Sequence, residues 1–288
     1  MTGVKCFLLA VTLVSQTLNV NGVQRTYLVG VPAKRSPMPL VLVFHGGGGR
    51  GRGMVRLTGF DDLADRYGFV VVYPDGLRRQ WNDGRLPFNN GADDVAFVSA
   101  LIDRIAQDYP IDRKRVYATG MSNGAMFSQR LGCELADRIA AIAPVSGNMP
   151  SALAPTCRPA RPVSVIEING TDDPLVPFAG GNVISPRMGT VLSSPDTVAF
   201  WAKVDGCRHD PTSTALPAIA PPDGTSIVRE VFGGCRAGTA VTFYRVNGGG
   251  HTWPQGLQYL PRSIIGPASR QLDASDTIVR FFLAHEMR

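Results

Sequence analysis

Short apolar runs and amphipathic stretches alternate along the chain. Residues 23–31 (VQRTYLVGV) and 40–44 (LVLVF) predict strands. Residues 69–73 (FVVVY) form a continuous apolar run, the pattern of a strand buried on both faces. Residues 61–67 have helical spacing. Asp93 opens a helix that places Val95, Val98, Leu101, Ile102 and Ile105 on one face. Further strands are predicted at 116–119, 139–143, 163–168 and 241–246, and further helices at 125–135, 195–204 and 273–284. A loop rich in Gly, Asn and Asp spans 74–91, and residues 209–224 read as a surface loop. Strand–helix alternation of this kind predicts an α/β fold, a mostly parallel central sheet with helices on both faces. No repeat or interdomain linker interrupts it, so residues 21–288 are expected to form one domain.

The start of the chain departs from this alternation. Lys5 precedes an apolar run, residues 6–14 (CFLLAVTLV), which passes into Ser15 and polar residues. That is the pattern of a short secretory signal. Residues 1–20 are therefore expected to be a leader, with the mature chain starting between Ser15 and Asn21. The cysteines agree with export to the periplasm or medium. Without Cys6, four remain, Cys133, Cys157, Cys207 and Cys235, and four allow three pairings. Pairing neighbours in sequence joins Cys133 to Cys157 and Cys207 to Cys235. A metal site is not expected, because no C-x-x-C occurs and Cys207-x-His209 has no partner cluster.

Composition narrows the class further. With 288 residues, 44% hydrophobic and 18% charged, the chain is globular. No apolar stretch reaches the ~18 residues of a spanning helix, so stable membrane insertion is not expected. The net charge is +6, carried almost wholly by Arg, with its densest group at Arg50, Arg52 and Arg56. The arginines are scattered, which reads as a solvated basic surface rather than a nucleic-acid site; such a field also favours acidic substrates.

Two glycine-rich motifs carry chemistry. Gly120-Met121-Ser122-Asn123-Gly124 lies between a predicted strand and a predicted helix, the context of the G-x-S-x-G nucleophile elbow. Ser122 is then the nucleophile, above a helix N-terminus that favours developing negative charge. His45-Gly46-Gly47-Gly48-Gly49 follows the strand ending at Phe44, where such folds place an oxyanion-binding loop. Backbone N–H groups of Gly47 and Asn123 are the expected donors. Gly46, Gly48 and Gly51 also satisfy a dinucleotide fingerprint, but the acidic ribose partner is not where a βαβ unit would put it. A Walker A loop fails for want of Gly-Lys-Ser/Thr.

Four histidines are available for the base. His45 precedes the nucleophile and shapes the loop, His209 lies in the cysteine-bounded segment, and His285 sits in the last helix. His251 follows a strand and a Gly248-Gly249-Gly250 turn, at the carboxyl end of the sheet where catalysis collects. The acid should end the strand at 163–168, and either Asp172 or Asp173 fits by spacing. His45, Trp81 and Trp253 are candidate substrate contacts beside this site; the alternative for the tryptophans is loop packing.

Taken together these pieces resemble the secreted esterase family of poly(3-hydroxybutyrate) depolymerases and feruloyl or acetylxylan esterases. The matching segments are His45-Gly46-Gly47-Gly48, Tyr73-Pro74-Asp75-Gly76, Trp81-Asn82, Asp93-Asp94-Val95, the elbow, Ala143-Pro144-Val145-Ser146-Gly147, residues 170–177 and Gly250-His251-Thr252-Trp253-Pro254. They run through nearly the whole chain after the leader. The resemblance implies an α/β-hydrolase fold and a Ser122–His251–Asp173 triad, since Asp173 matches the family's catalytic Asp. It also implies paired cysteines like those above, no cofactor, and an ester substrate, small or polymeric, with the chain expected as a monomer. Asn169 departs from the family pattern, which usually carries His there. An acyltransferase with the same triad and a non-catalytic binding protein on the same fold are the rival readings.

Overall fold

In the computed structural model, which describes residues 11–33, 36–87 and 91–288, ten strands join in one sheet. In chain order these are β1 (Leu13–Val20), β2 (Val23–Gly30), β3 (Met38–Phe44), β4 (Val70–Pro74), β5 (Ile111–Met121), β6 (Ala141–Val145) and β7 (Ser164–Gly170). A small ribbon of β8 (Gly181–Asn182) and β9 (Thr190–Val191) follows, then β10 (Thr212–Ala215), β11 (Ser226–Phe232) and β12 (Val241–Asn247). The spatial order is β1-β2-β4-β3-β5-β6-β7-β12-β11-β10. Every pairing from β4 to β12 is parallel, and the pairings outside that block are antiparallel. The helices are α1 (Gly51–Thr58), α2 (Phe60–Tyr67), α3 (Asp94–Asp108), α4 (Asn123–Glu134), α5 (Ser194–Val204), α6 (Arg262–Ile265) and α7 (Ala274–Leu283).

The continuous apolar runs explain the layering. Strands β3, β4, β6 and β7 are buried at every position. Successive side chains point to opposite faces, so each strand feeds two cores. Leu40, Leu42, Phe44, Val70 and Val72 pack with Phe97, Leu101 and Ile105 of α3, Phe127 and Leu131 of α4 and Trp201 of α5. Val41, Val43, Val71, Tyr73, Ala143 and Ile168 pack on the other face with Met54 of α1, Phe60 and Leu63 of α2 and Ile278 and Phe282 of α7. The sheet is thus covered on both sides, as an α/β-hydrolase fold requires.

The structure adds to the expected elements in three places. Residues 13–20, expected within the leader, form β1 and pair with β2 along their whole length. Asn21 (φ 51°) and Gly22 (φ 79°) supply the positive-φ turn that closes the hairpin. The expected cleavage window therefore overlaps a paired edge strand. Lys5 and Cys6 lie outside the described residues. Residues 51–58 also form a helix, α1, which its two glycines concealed. Residues 209–224 are not wholly loop, because Thr212–Ala215 forms β10; its short, polar, fully exposed pattern suits a sheet edge.

Both neighbour-pairing disulfides are present, Cys133–Cys157 and Cys207–Cys235. The first ties the end of α4 to the segment before β7, closing a separation of 24 residues. Replacing both its cysteines by Ser is expected to lower unfolding free energy by about 3 kcal/mol through release of unfolded-chain entropy. The denaturant midpoint in oxidising buffer checks this, and an unchanged midpoint would count against a stabilising role.

Candidate active site

The elbow is built by steric necessity. Ser122 joins β5 to α4 at φ 58° and ψ −121°, a conformation L residues rarely adopt. The turn is held by backbone bonds on both sides, Ser122 N–H to Val145 O at 3.0 Å and Met126 N–H to Ser122 O at 2.9 Å. Gly124 allows α4 to start against the end of β3: a Cβ there would lie 2.3 Å from Phe44 O and 2.6 Å from His45 O. A Cβ on Gly120 would lie 2.7 Å from Phe44 O and from the Gly124 backbone. The oxyanion loop is thereby pressed against the serine, and a Cβ on Gly46 would stand 4.0 Å from Ser122 Oγ.

The N–H groups around the serine are divided between structure and site. Gly48 N–H donates to Arg79 O at 2.8 Å and Gly49 N–H to Gly46 O at 2.9 Å. Among the described residues, the N–H groups of Gly47 and Asn123 donate to no protein acceptor. Both residues line the same cavity as Ser122 and His251, a cleft of about 860 Å³.

His251 is held at the carboxyl end of the sheet by its backbone, its N–H donating to Ile265 O at 2.6 Å and its carbonyl accepting from Tyr259 at 3.0 Å. Its Nδ1 donates to Asp173 Oδ2 at 2.7 Å, with both side chains buried. The other carboxylate oxygen, Oδ1, accepts from the N–H groups of Leu175 and Val176, each at 2.8 Å. Geometry thus separates the two candidate acids: Asp172 is exposed and accepts from Thr171 Oγ1. With Nδ1 engaged, Nε2 is the ring nitrogen available to the cleft. A serine, a histidine bonded to a buried carboxylate, and two N–H groups can generate an alkoxide-like nucleophile and hold an oxyanion. Among the described residues, no group of three His, Cys, Asp or Glu side chains is placed to hold a metal ion.

Comparison with known proteins points to one family. Residues 25–157 match the family described as Esterase PHB depolymerase. The chain is 36% identical over 265 residues to "Putative esterase NocK" of Nocardia uniformis subsp. tsuyamanensis, covering 88% of this chain and 76% of that protein.

The chain belongs to the PHB depolymerase family of esterases.

Membership makes it a carboxylic ester hydrolase. Another relative is feruloyl esterase B of Piromyces equi, 33% identical over 192 residues that span 64% of this chain but 34% of that protein. The fold matches that of an acetyl xylan esterase from Aspergillus awamori, with a TM-score of 0.64 at 17% identity over 94% of this chain and 99% of that one.

In this PHB depolymerase-family chain the expected aromatic contacts are scaffold instead. Trp81 is completely buried, stacks on Phe127 at 5.1 Å and donates from Nε1 to His45 O at 3.0 Å. Trp253 is buried against Phe60 and donates to Ser275 Oγ at 2.9 Å. Neither lines the cleft. His45 borders it but is 1% exposed, with both ring nitrogens committed: Nδ1–H donates to Gly46 O at 2.8 Å and Nε2 accepts from Gly76 N–H at 3.0 Å. Burial lowers its pKa, which keeps this neutral, two-sided clamp intact. A large aromatic in a motif signals conservation of packing as readily as contact with substrate, and sequence does not separate the two.

Two sets of buried polar residues escaped the sequence reading. Asn123 accepts from Trp81 N–H at 2.7 Å and donates to Trp81 O at 2.9 Å and Asp83 Oδ2 at 2.6 Å. Asp83 also pairs with buried Arg85. Behind the acid, Glu167 on β7 accepts from Asn169 at 2.7 Å and Gln129 at 2.8 Å. Asn169, the departure from the family pattern, also donates to Asn148 and Ser194 and accepts from Gly147 N–H. No local motif marks these residues; an acidic residue inside an apolar strand run was the available signal.

Burial pushes the Glu167 carboxyl up to about 8, although the two amide donors pull it down. Below the ordinary carboxylate range it is protonated in folded and unfolded chains alike. As pH rises from there through about 8, the unfolded chain loses the proton first, so stability contributed by this group is lost. The stability difference between wild type and Glu167→Gln should therefore fall steadily as pH is raised over that window. Thermal melts across the range check this; a difference independent of pH would refute a raised Glu167.

Proposed function

We propose that this protein is an exported serine esterase that cleaves polyester or plant cell-wall esters through Ser122, His251 and Asp173. The observation that carries the reading is the 2.7 Å His251–Asp173 bond between buried side chains, set in a cleft that Ser122 also lines. His251 Nε2 takes the proton as Ser122 Oγ bonds to the ester carbonyl carbon. Asp173 fixes the ring orientation and stabilises the imidazolium. The oxyanion of the tetrahedral adduct is held by Gly47 N–H and Asn123 N–H. Collapse breaks the ester C–O bond, and the proton passes from His251 to the departing alcohol. Water then attacks the acyl-enzyme by the same route in reverse, releasing the acid and Ser122.

The relatives' names support ester chemistry of this class, and the cleft suits chains longer than acetate. Its walls carry Met54, Leu57, Met121, Leu175, Val183 and Leu257, an apolar surface that contributes roughly 25 cal/mol per Å² it removes from water. Export is supported by the two disulfides, which persist in oxidising compartments. Among the described residues no helix is long and apolar enough to cross a membrane. Because β1 is paired from Leu13 onward, processing at or before Leu13 leaves the catalytic domain whole.

Ser122→Ala is expected to abolish hydrolysis of p-nitrophenyl esters, methyl ferulate and hydroxybutyrate oligomers, while Asp173→Asn lowers kcat by about 10⁴. Steady-state kinetics on folded variants decides this. Wild-type-like turnover by Ser122→Ala would remove the serine mechanism. Sequencing the N-terminus of exported protein should find Leu13 retained; a start beyond it would contradict the domain boundary proposed here.

A further inference from the structure

The walls of the cleft are charged in one sense only. Among the described residues lining it are three arginines, Arg50, Arg56 and Arg85, and no Asp or Glu. Arg85 is neutralised by its buried pairing with Asp83 at 2.8 Å and donates to Met188 O at 2.9 Å. Arg50 and Arg56 differ. Both are exposed, standing at the N-cap and in the last turn of α1, and neither joins an ion pair among the described residues. What distinguishes them from other exposed arginines is their place on the lining of the cleft that holds Ser122 and His251. Arg50, directly after the Gly46–Gly49 loop, and Arg56 on α1 thus bring unpaired positive charge to the lining of this cleft.

The lining is otherwise rich in apolar side chains. Ile184, Leu257 and Leu260 line the cleft and are themselves 64%, 51% and 43% exposed. A substrate in the cleft would thus meet both hydrocarbon and positive charge. A cleft lined by one sign of charge with low-dielectric walls concentrates ligands of the opposite sign. The guanidinium fork matches a carboxylate in planar, two-bond geometry.

We propose that Arg50 and Arg56 form an anion subsite, so that this enzyme prefers esters carrying a free carboxylate near the scissile bond, such as short hydroxyacid oligomers with an acid end or half-esters of dicarboxylic acids. The proposal rests on Ser122 being the nucleophile of this cleft. The carboxylate makes no bond in the reaction; it orients the chain so that the ester carbonyl meets Ser122.

Two matched substrate pairs test this. One carries the charge on the acyl side, the p-nitrophenyl half-ester of adipic acid against p-nitrophenyl hexanoate. The other carries it on the alcohol side, O-butyrylglycolate against ethyl butyrate. In at least one pair the anionic ester should have a ratio of kcat/KM to its neutral partner that falls about tenfold in the Arg50→Gln/Arg56→Gln double variant. Arg208→Gln, which removes a charge outside the cleft, should leave the ratio unchanged. Raising salt to about 0.5 M should compress it in wild type and not in the double variant, since exposed charges are screened. The pair that responds identifies which arm of the substrate meets the arginines. Equal ratios in wild type and double variant for both pairs, with neutral esters still turned over, would overturn the anion subsite alone. Failure to hydrolyse any ester would instead strike the assignment of Ser122.

Discussion

The site depends on one backbone contact, where the end of β3 meets the start of α4. Gly124 lies so close to Phe44 O and His45 O that no side chain fits between them. That contact fixes the distance between the oxyanion loop and the elbow, and so brings two otherwise independent turns into one site. It also explains how Ser122 is kept in an unfavourable conformation. The strain, of order 1–3 kcal/mol for such a residue, is opposed by bonds from β6 and α4 to its own backbone. Interfaces this close are bistable rather than elastic, so a small displacement would separate nucleophile and donors together.

Around this contact the protein arranges buried polar groups as clamps. Asp94 accepts from Arg25 and from Asn82 N–H, each at 2.7 Å, with Arg25 lying 3.9 Å over Phe97. Asn82 thereby holds the loop whose Trp81 supports His45 from below. Such a pair adds little net stability by itself, but losing one partner strands a buried charge. The segment from residue 81 to 85, polar and glycine-containing in sequence, is thereby tied down by buried bonds. It backs the loop carrying Gly47, which has no regular secondary structure of its own.

The acid side of the site is supported differently. Asp173 is fixed by two backbone N–H groups and His251. The strand that delivers it carries Glu167 and Asn169, which join β7 to the loop after β6, to α4 and to α5 through amide and hydroxyl groups. This network contains no arginine, so its charge is opposed by burial rather than compensated. The wall of the cleft shows the contrary choice, with two solvated guanidiniums left unpaired among apolar side chains. One carboxyl is enclosed away from substrate, and two cations are turned toward it.

Sequence alone determined the fold class and marked Ser122 and His251 as the candidate nucleophile and base. The apolar runs of β3, β4 and β7 and the glycine-flanked Ser122 are local patterns whose physical meaning does not depend on the rest of the chain. Disulfide pairing by sequence proximity was legible for the same reason, because short loops close at the smallest entropic expense. Three matters required tertiary structure. Asp172 and Asp173 are adjacent in sequence, and only the direction of the chain after β7 decides which carboxylate meets His251. Trp81 and Trp253 stand in motifs beside the site, yet packing against Phe127 and Phe60 turns them away from it. Residues 13–20 read as the tail of a leader, and only pairing with β2 makes them a strand. In each case the deciding partner lies far along the chain or across the sheet, beyond the reach of any local pattern.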